Sequence, residues 1–439
     1  MKVFLFDEFP PETSAMIQAL YSRSGDSVVK HVDVVRARGT DKFMASYYVG
    51  YGHASIGDCG STTLYLEDIS LVACKVVQDN QLYSGQETST RYIDFATRGF
   101  LDPINTARSR AFQERWLSFY SDLSKPIVEY LKTKFPRSSD VKAVTWEKAI
   151  AARGFDIARG FLPAGVLSQM SWTTSLRQAH DHVFRLECHP LAEARNLGAA
   201  LRSLLQSQYP SSFGHRVSDA ELEFQKFVGE REAFFYPTGF LRGENDFEAT
   251  TDIDNDALEA QANTIIANRP RRAALPKSLA RFGSYRCRFL LDYGSFRDLQ
   301  RHRGGLCRVP LLNSNYGFHS WYLLELPPHV QAKARAFVES QLKELIDILP
   351  PELAPCERQY YYPLGMKVPC ELHYDLAQMV YVAELRSGTT VHPTLRVTAQ
   401  RMASKLRQNH PNLALYADFS EDTLSVRRGT QDIVDRGAA

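Results

Sequence analysis

A globular chain of two or three domains, or of one domain present twice, is the architecture the sequence predicts, on three observations. The chain has 439 residues, enough for two or three domains or for one domain present twice. Hydrophobic residues at 44% and charged residues at 23% belong to a chain that buries a core, which excludes fibrous and unstructured classes. Similar landmarks also recur in similar order on the two sides of a polar stretch.

The N-terminal run from Met1 carries the early acids Asp7 and Glu8 and no apolar core of signal-peptide type. No apolar stretch reaches the ~20 residues that span a bilayer, so a cytoplasmic location is expected. Apolar residues from Ile69 to Val77 read as a helix, and amphipathic spacing predicts helices over Trp146 to Phe161, Thr173 to Arg185 and Leu191 to Leu205. His189-Pro190 breaks the pattern between the last two. Tyr209 to Gly214 is turn-rich, and Arg242 to Asp256 is polar and acidic, so the main linker falls within 209–265. This divides the chain into a first half 1–215, a linker or insert 216–265 and a second half 266–439. Phe289 to Leu299 reads as a further helix, and the charged tail after Asp418 is expected to be loose.

Across the linker, Pro163, Arg185 and His189-Pro190 are matched by Pro363, Arg386 and His392-Pro393 at nearly equal gaps. Arg185 and Arg386 thereby become counterparts. On spacing alone, an internal duplication and a chance likeness stand level.

Lys and Arg total 52 against 50 Asp and Glu, a net charge of +2, so no whole-molecule field favours nucleic acid or a membrane surface. Any anion must be gripped locally. The seven cysteines are scattered, odd in number and without a C-x-x-C pair, which indicates reduced thiols and neither a disulfide framework nor a metal site.

Two runs have the chemistry for such a grip. Ser84-Gly-Gln-Glu87-Thr-Ser89-Thr90-Arg91-Tyr92 places a carboxylate, hydroxyls and a guanidinium on one Gly-containing loop, a set able to cradle a phosphate and orient a sugar. A solvated turn after a helix explains the same residues. Gln300-Arg301-His302-Arg303-Gly304-Gly305 is a dense cationic cluster followed by flexible glycines, suited to phosphates or an electron-rich ring, or to an exposed basic helix end. His53, in Gly52-His53-Ala54-Ser55, suits either a site or a structural turn.

Taken together, Gly52-His53-Ala54-Ser55, the Glu87 to Tyr92 loop, Ala158-Arg159-Gly160-Phe161-Leu162-Pro163 and Trp172 to Arg177 resemble the flavin-dependent thymidylate synthase family. The resemblance covers most of 10–205 and about 280–405, and is nearest to members with two tandem repeats in one chain. It implies an α+β fold in which the two repeats form an intramolecular pseudo-dimer, and two chains a homodimer that mimics a tetramer. The family's Arg-His-Arg motif is replaced by Asp79-Asn80-Gln81 in the first half and kept as Arg301-His302-Arg303 in the second, where the Ser-x-Arg loop is lost. The resemblance therefore implies one composite site drawn from both halves.

By that resemblance the chain transfers a one-carbon unit from methylenetetrahydrofolate to C5 of a uracil nucleotide, dUMP to dTMP, with FAD as cofactor and NADPH as reductant. Arg386 and His53 are the implied catalytic residues, with Arg386 polarising or deprotonating N3. Nucleotide binding falls to Glu87, Ser89, Thr90, Arg91, Arg159, Asp298 and Arg301. Cofactor binding falls to Ser55, Glu87, Arg301, His302, Arg303, Ser175, Arg177 and Asp181. Family members carry an amide where this chain has Asp298, and Asn where it has Ser175 and Asp181. A carboxylate reads only a donor, so a ribonucleotide or a modified uracil nucleotide, or hydroxymethyl transfer, is an alternative. A non-catalytic nucleotide-binding protein is the alternative from another class.

Overall fold

The computed structural model describes residues 8–22, 24–38, 54–214, 217–237, 239–240, 246–421 and 424–430. Its helices and small sheets make an α+β chain that gathers into two compact units. One consists of Met1–Ile69, Val76–Glu87 and Gln169–Ala233, the other of Ser70–Lys75, Thr88–Ser168 and Phe234–Ala439. Such units group residues by mutual contact, a different partition from a repeat read along the chain. No helix among the described residues is long and apolar enough to cross a membrane.

In the first unit, strands β1 (Ser61–Ser70) and β2 (Leu167–Ser175) form a two-stranded sheet. Burial alternates along β2, as it does where one face of a strand meets a core. Helices Leu176–Glu187 and Ala192–Gln208 pack together beside it. A small separate cluster of Ala15, Met16, Ile17, Val32, Val35 and Ile56 holds helices Pro11–Tyr21 and Val28–Arg38.

The second unit is built on an antiparallel sheet in the order β3-β4-β6-β5, with β3 Phe247–Thr251, β4 Ser284–Asp292, β5 Leu306–Cys307 and β6 Lys367–Asp375. The register sets Tyr285, Cys287, Phe289 and Leu291 opposite Tyr374, Leu372, Cys370 and Val368, and all eight are buried. Since side chains alternate with period two, this one apolar face fixes the register against a one-residue slip. Helices Leu376–Arg386 and Pro393–Asn409 bury Met379, Val382, Ala383, Leu395, Met402 and Leu406. Phe119 and Phe337 stack at 3.9 Å between the long helices Ala107–Lys134 and Pro328–Ile348.

Corresponding segments of the two halves share one secondary-structure pattern at an offset of 200 residues. A 3-10 turn, Arg159–Phe161 or Gln359–Tyr361, leads to β2 or β6 and then, without a loop, to helix Leu176–Glu187 or Leu376–Arg386. Each strand ends on the cap of its helix: Ser175 accepts from the Gln178 N–H at 3.3 Å, and Asp375 from that of Gln378 at 2.7 Å. Within the second unit, the turns at Pro163 and Pro363 bond to each other reciprocally. Ala164 N donates to the Tyr362 carbonyl at 2.9 Å and Leu364 N to that of Leu162 at 2.8 Å; Gly165 N donates to Tyr360 at 3.0 Å and Gly365 N to Gly160 at 2.8 Å. A Cβ on Gly365 would lie 2.4 Å from the Phe318 ring, so this close crossing requires glycine there.

Several expected elements are corrected. Thr173 to Ser175 end a strand, and the helix begins at Leu176. Ile69 and Ser70 likewise end β1, and Phe289 to Asp292 end β4, ahead of helices Leu71–Gln78 and Tyr293–Leu299. A short apolar run suits either state, and the cap residue at its end decides. Helix Ala143–Ala158 gives way to a 3-10 turn at Arg159. The 209–265 stretch is more than a linker: it holds helix Asp219–Glu232, edge strand β3 and helix Asn255–Ala267, which Asp254 of the acidic run caps. Within the tail, the described turn Val426–Thr430 is held by Arg428, buried against Asp156. The shared register also corrects the pairing of arginines. The counterpart of Arg386 is Leu186, a buried residue, while Arg185 points into solvent one helical step away.

Candidate functional site

The Ser89 to Arg91 loop turns tightly, because the Arg91 N–H donates to Ser89 Oγ at 3.2 Å and the Ile93 N–H to the Ser89 carbonyl at 3.1 Å. Thr90, buried, accepts at 2.8 Å from Arg297 of helix Tyr293–Leu299, which fastens the loop to the second half of the chain. Arg91 donates from Nε and Nη2 to Asp156 at 2.7 and 3.1 Å, and from Nη2 to the Thr390 carbonyl at 3.1 Å. Asp156 is fully buried and is gripped on its other side by Arg428.

Asp298 lies on helix Tyr293–Leu299, whose start is capped by Asp292 through the Ser295 N–H at 2.8 Å. Three guanidiniums face its carboxylate just beyond hydrogen-bond reach: Arg91 Nη1 at 4.0 Å, Arg159 Nη1 at 3.8 Å and Arg301 Nε at 3.9 Å. Arg159, 1% exposed, also donates to Ser295 at 2.9 Å. Arg386, the last residue of its helix, donates from Nη2 to the Asp298 carbonyl and from Nε to His302 Nε2, both at 2.7 Å. A guanidinium can only donate, so His302 Nε2 is the acceptor and the ring proton sits on Nδ1.

The charges follow from these contacts. Burial, with Arg386 alongside, pushes His302 down to about 3, so the ring is neutral. Burial would raise the Asp298 carboxyl, but Arg91, Arg159, Arg301 and Arg386 together hold it below the usual carboxylate range. For Asp156, Arg428 and Arg91 outweigh burial in the same way. Arg386 is lowered by burial, against the pull of Asp298. The cluster therefore holds ionised carboxylates, a neutral imidazole and an excess of guanidinium.

Of the residues the sequence proposed, Thr90, Arg91, Arg159, Asp298, Arg301, His302 and Arg386 come together here, in the second unit, with Ser89 shaping the loop. Arg303 follows, donating to the Arg301 carbonyl at 3.3 Å. The others belong to the first unit. Glu87 accepts from Gln78 at 2.8 Å, and Ser55 lies in the 3-10 turn Ala54–Cys59. Ser175 and Arg177 both donate to Asp58, at 3.1 and 2.6 Å. Asp181 is half-buried beside His180, whose hydrogen bond lowers its pKa. His53 lies outside the described residues. Asp156, Arg428 and His392 were missed. His392 is a buried hub between Ser295 and the Asp156 carbonyl, and its only sequence signal was the shared His-Pro landmark.

A family model described as thymidylate synthase complementing protein matches residues 6–211. That segment is similar to this family. Similar curated proteins are UPF0159 proteins. Those of Chlamydia pneumoniae and Chlamydia muridarum are each 25% identical, aligned with 84% and 85% of this chain and with 78% and 80% of their own lengths. One from Thermoplasma acidophilum is 22% identical, over 91% of this chain and 93% of its own. The alignments with the UPF0159 proteins run well beyond the family segment, into the half that carries Arg301 and Arg386.

A flavin of the kind the family uses asks for phosphate donors. In the second unit Arg301 is half exposed, Arg303 adjoins it and His302 keeps an Nδ1–H to give, a donor set that fits. In the first unit Arg177 is already neutralised by Asp58 and Asp181 is anionic, so that set fits only if Arg177 lets go of Asp58.

Proposed function

We propose that the protein is a flavin-dependent enzyme of thymidylate synthase type, which moves a one-carbon unit from methylenetetrahydrofolate to C5 of a uracil carried on a sugar, with NADPH as reductant. The observation that carries this reading is the meeting of Arg91 and Arg159 from one half with Asp298, Arg301, His302 and Arg386 from the other around a single small volume. Each half alone lacks part of this set. The reciprocal bonds at Pro163 and Pro363 support a fused pair of repeats, related as the subunits of a two-fold dimer are. Two chains would then make a pseudo-tetramer.

Making C5 nucleophilic requires stabilising negative charge on the N3–O4 edge of the ring. Arg386 is the residue for that role: neutral His302 and the Asp298 carbonyl aim its planar fork, and burial makes its proton easier to share. FAD, when bound and reduced, supplies the reducing equivalents that turn the transferred carbon into a methyl group. Arg301, His302 and Arg303 would hold it; Ser55, Glu87, Ser175, Arg177 and Asp181, in the first unit, remain the flavin contacts that the resemblance implies. Thr90, Arg91 and Arg159 would position the sugar end of the substrate.

The test is to purify the protein, record its flavin spectrum, and follow tritium release from C5-tritiated deoxyuridine and dUMP with methylenetetrahydrofolate and NADPH. Bound flavin, lost from a folded His302→Ala/Arg303→Ala variant, and tritium release from one of the two are expected. A folded protein that takes up no flavin and releases no tritium rejects the proposal.

A further inference from the structure

We infer that a cavity beside the cationic cluster receives the aminobenzoyl-glutamate end of the folate donor, its ring against Tyr381 and Leu385 and its carboxylates on Arg271, Arg272 and Lys277. The inference rests on the C5-transfer reading for the identity of the donor and on the cavity itself for the end of the donor that it takes.

The cavity lies within the second unit and measures about 570 Å³, a size that takes a drug-sized ligand. One wall is helix Leu376–Arg386, and the other is the loop 269–277 that leads into the 3-10 helix Lys277–Phe282. The loop is pinned from behind. Arg269, buried, donates to the Ala273 carbonyl at 2.7 Å, to the Ala414 carbonyl at 2.8 Å and to Glu384, while the Tyr416 hydroxyl donates to the Arg269 carbonyl at 2.8 Å.

The lining has the two characters that such a tail needs. Tyr381, Leu385 and Tyr416 are large apolar side chains left exposed, and all three border this one cavity. Covering them with a flat ring removes apolar surface from water. Arg271, Arg272 and Lys277 are exposed, and among the described residues their side chains make no hydrogen bond or ion pair. The carboxylates of the lining are already engaged: Glu384 with Arg269 and the Tyr416 N–H at 2.8 Å, Asp375 with the Gln378 N–H at 2.7 Å. Three cations are therefore left for a ligand. Arg272 is also held at φ 72°, where glycine is at ease and a side chain is not. Strain kept at a side chain that touches no partner in the protein points to a partner outside it.

The cavity adjoins the cluster already described. The Tyr381 ring meets that of His302 edge-on at 5.8 Å, and Gln378 Oε1 crowds Gly304 so closely that a Cβ there would clash. A donor with its one-carbon end beside Arg386 would run its tail past Tyr381 to the loop. Each glutamate added to a folate tail brings a further carboxylate, so a chain of glutamates matches three cations better than one glutamate does.

The test is calorimetry on the full-length protein with p-aminobenzoyl-glutamate and p-aminobenzoyl-triglutamate, fragments that need neither uracil nor reductant. The triglutamate should bind about tenfold more tightly, and the preference should fade in high salt. In Arg271→Gln/Arg272→Gly/Lys277→Gln, whose changes are exposed and set glycine at the strained position, the preference should vanish while flavin content stays the same. Equal affinity for the two fragments, or a preference that survives the triple variant, overturns the inference and leaves the C5-transfer reading intact. So does displacement of the triglutamate by ADP at lower concentration than by the monoglutamate, which gives the cavity to a pyrophosphate such as the flavin's. Tritium release that fails with every folate removes the C5-transfer reading and the inference with it. The two-fragment comparison needs no variant, so a poorly folding triple variant does not protect the idea.

Discussion

The segments 156–187 and 356–386 follow the same path, from a 3-10 turn through a strand into a capped helix, yet the chemistry has been dealt out in opposite places. Asp156 and Arg159 stand in the cluster, where the other segment has Cys356 and Gln359. Gln359 does structural work instead: it accepts from the Leu312 N–H at 2.9 Å and donates to the Cys356 carbonyl at 3.0 Å. Further along, Arg386 reaches His302, whereas Leu186 is packed in a core. The lesson is that the path of the backbone is set by caps, alternation and close glycine crossings, which tolerate a change of reactive side chain.

The widest gap between the two segments should appear at 156 and 356. Asp156→Ala leaves Arg428 buried without a counter-charge and Arg91 with only the Asp298 carboxylate at 4.0 Å, and should cost about 3–5 kcal/mol in urea unfolding. Cys356→Ala, a small buried change, should cost about 1 kcal/mol. Equal losses would show that the buried ion cluster does not set the two segments apart.

The next contrast is catalytic. Arg386→Lys keeps a charge but loses the fork that meets His302 and Asp298 together, so kcat should fall about a hundredfold. Arg185→Lys, exposed and one step out of register, should leave steady-state rates as they are. A crippled Arg185→Lys would mean that the pairing of the halves is reversed.

Acid should weaken both units through their buried imidazoles. His302 and His189 are pushed down to about 3 and His182 to about 4, by burial first. A folded pKa below the unfolded ~6.5 gives stability that is full above ~6.5 and is lost as pH falls toward the folded value. Urea melts at steps from pH 7 to 4 should show that decline. His182→Gln should flatten it by about 1–2 kcal/mol over the window, and an unchanged slope would mean that the ring is already protonated in the fold. The smallest difference should be at the caps, where Asp375→Ala and Ser175→Ala each cost about 1 kcal/mol in thermal unfolding.

The loop from Ser89 to Arg91 and the cluster from Arg301 to Arg303 were legible because each packs its chemistry into a few consecutive residues. So was their complementarity, since one half shows a motif where the other has lost it. Asp156 with Arg428 was not legible: the two are 272 residues apart, and nothing beside either announces a partner. The helix starts at Leu176 and Tyr293 were misplaced because Thr173-Thr174 and the apolar Phe289 to Leu291 each suit either state, until Ser175 and Asp292 are seen as caps. The equation of Arg185 with Arg386 failed for the same reason. Counting from Pro163 and Pro363 gives gaps that differ by one, and on a helix one residue is about 100° of rotation.

The hydrogen bonds that join the Pro163 turn to the Pro363 turn link residues about 200 positions apart in the chain. At ~5–20 residues per second of synthesis, roughly 10–40 s separate the appearance of the two turns at the ribosome. For that interval Ala164 and Gly165 have no Tyr362 and Tyr360 to bond, so the turn waits on water or on a chaperone. A nascent chain halted shortly before Tyr360 would hold the loop of Ser89 to Arg91 without the strand and helix that carry Arg386 to it.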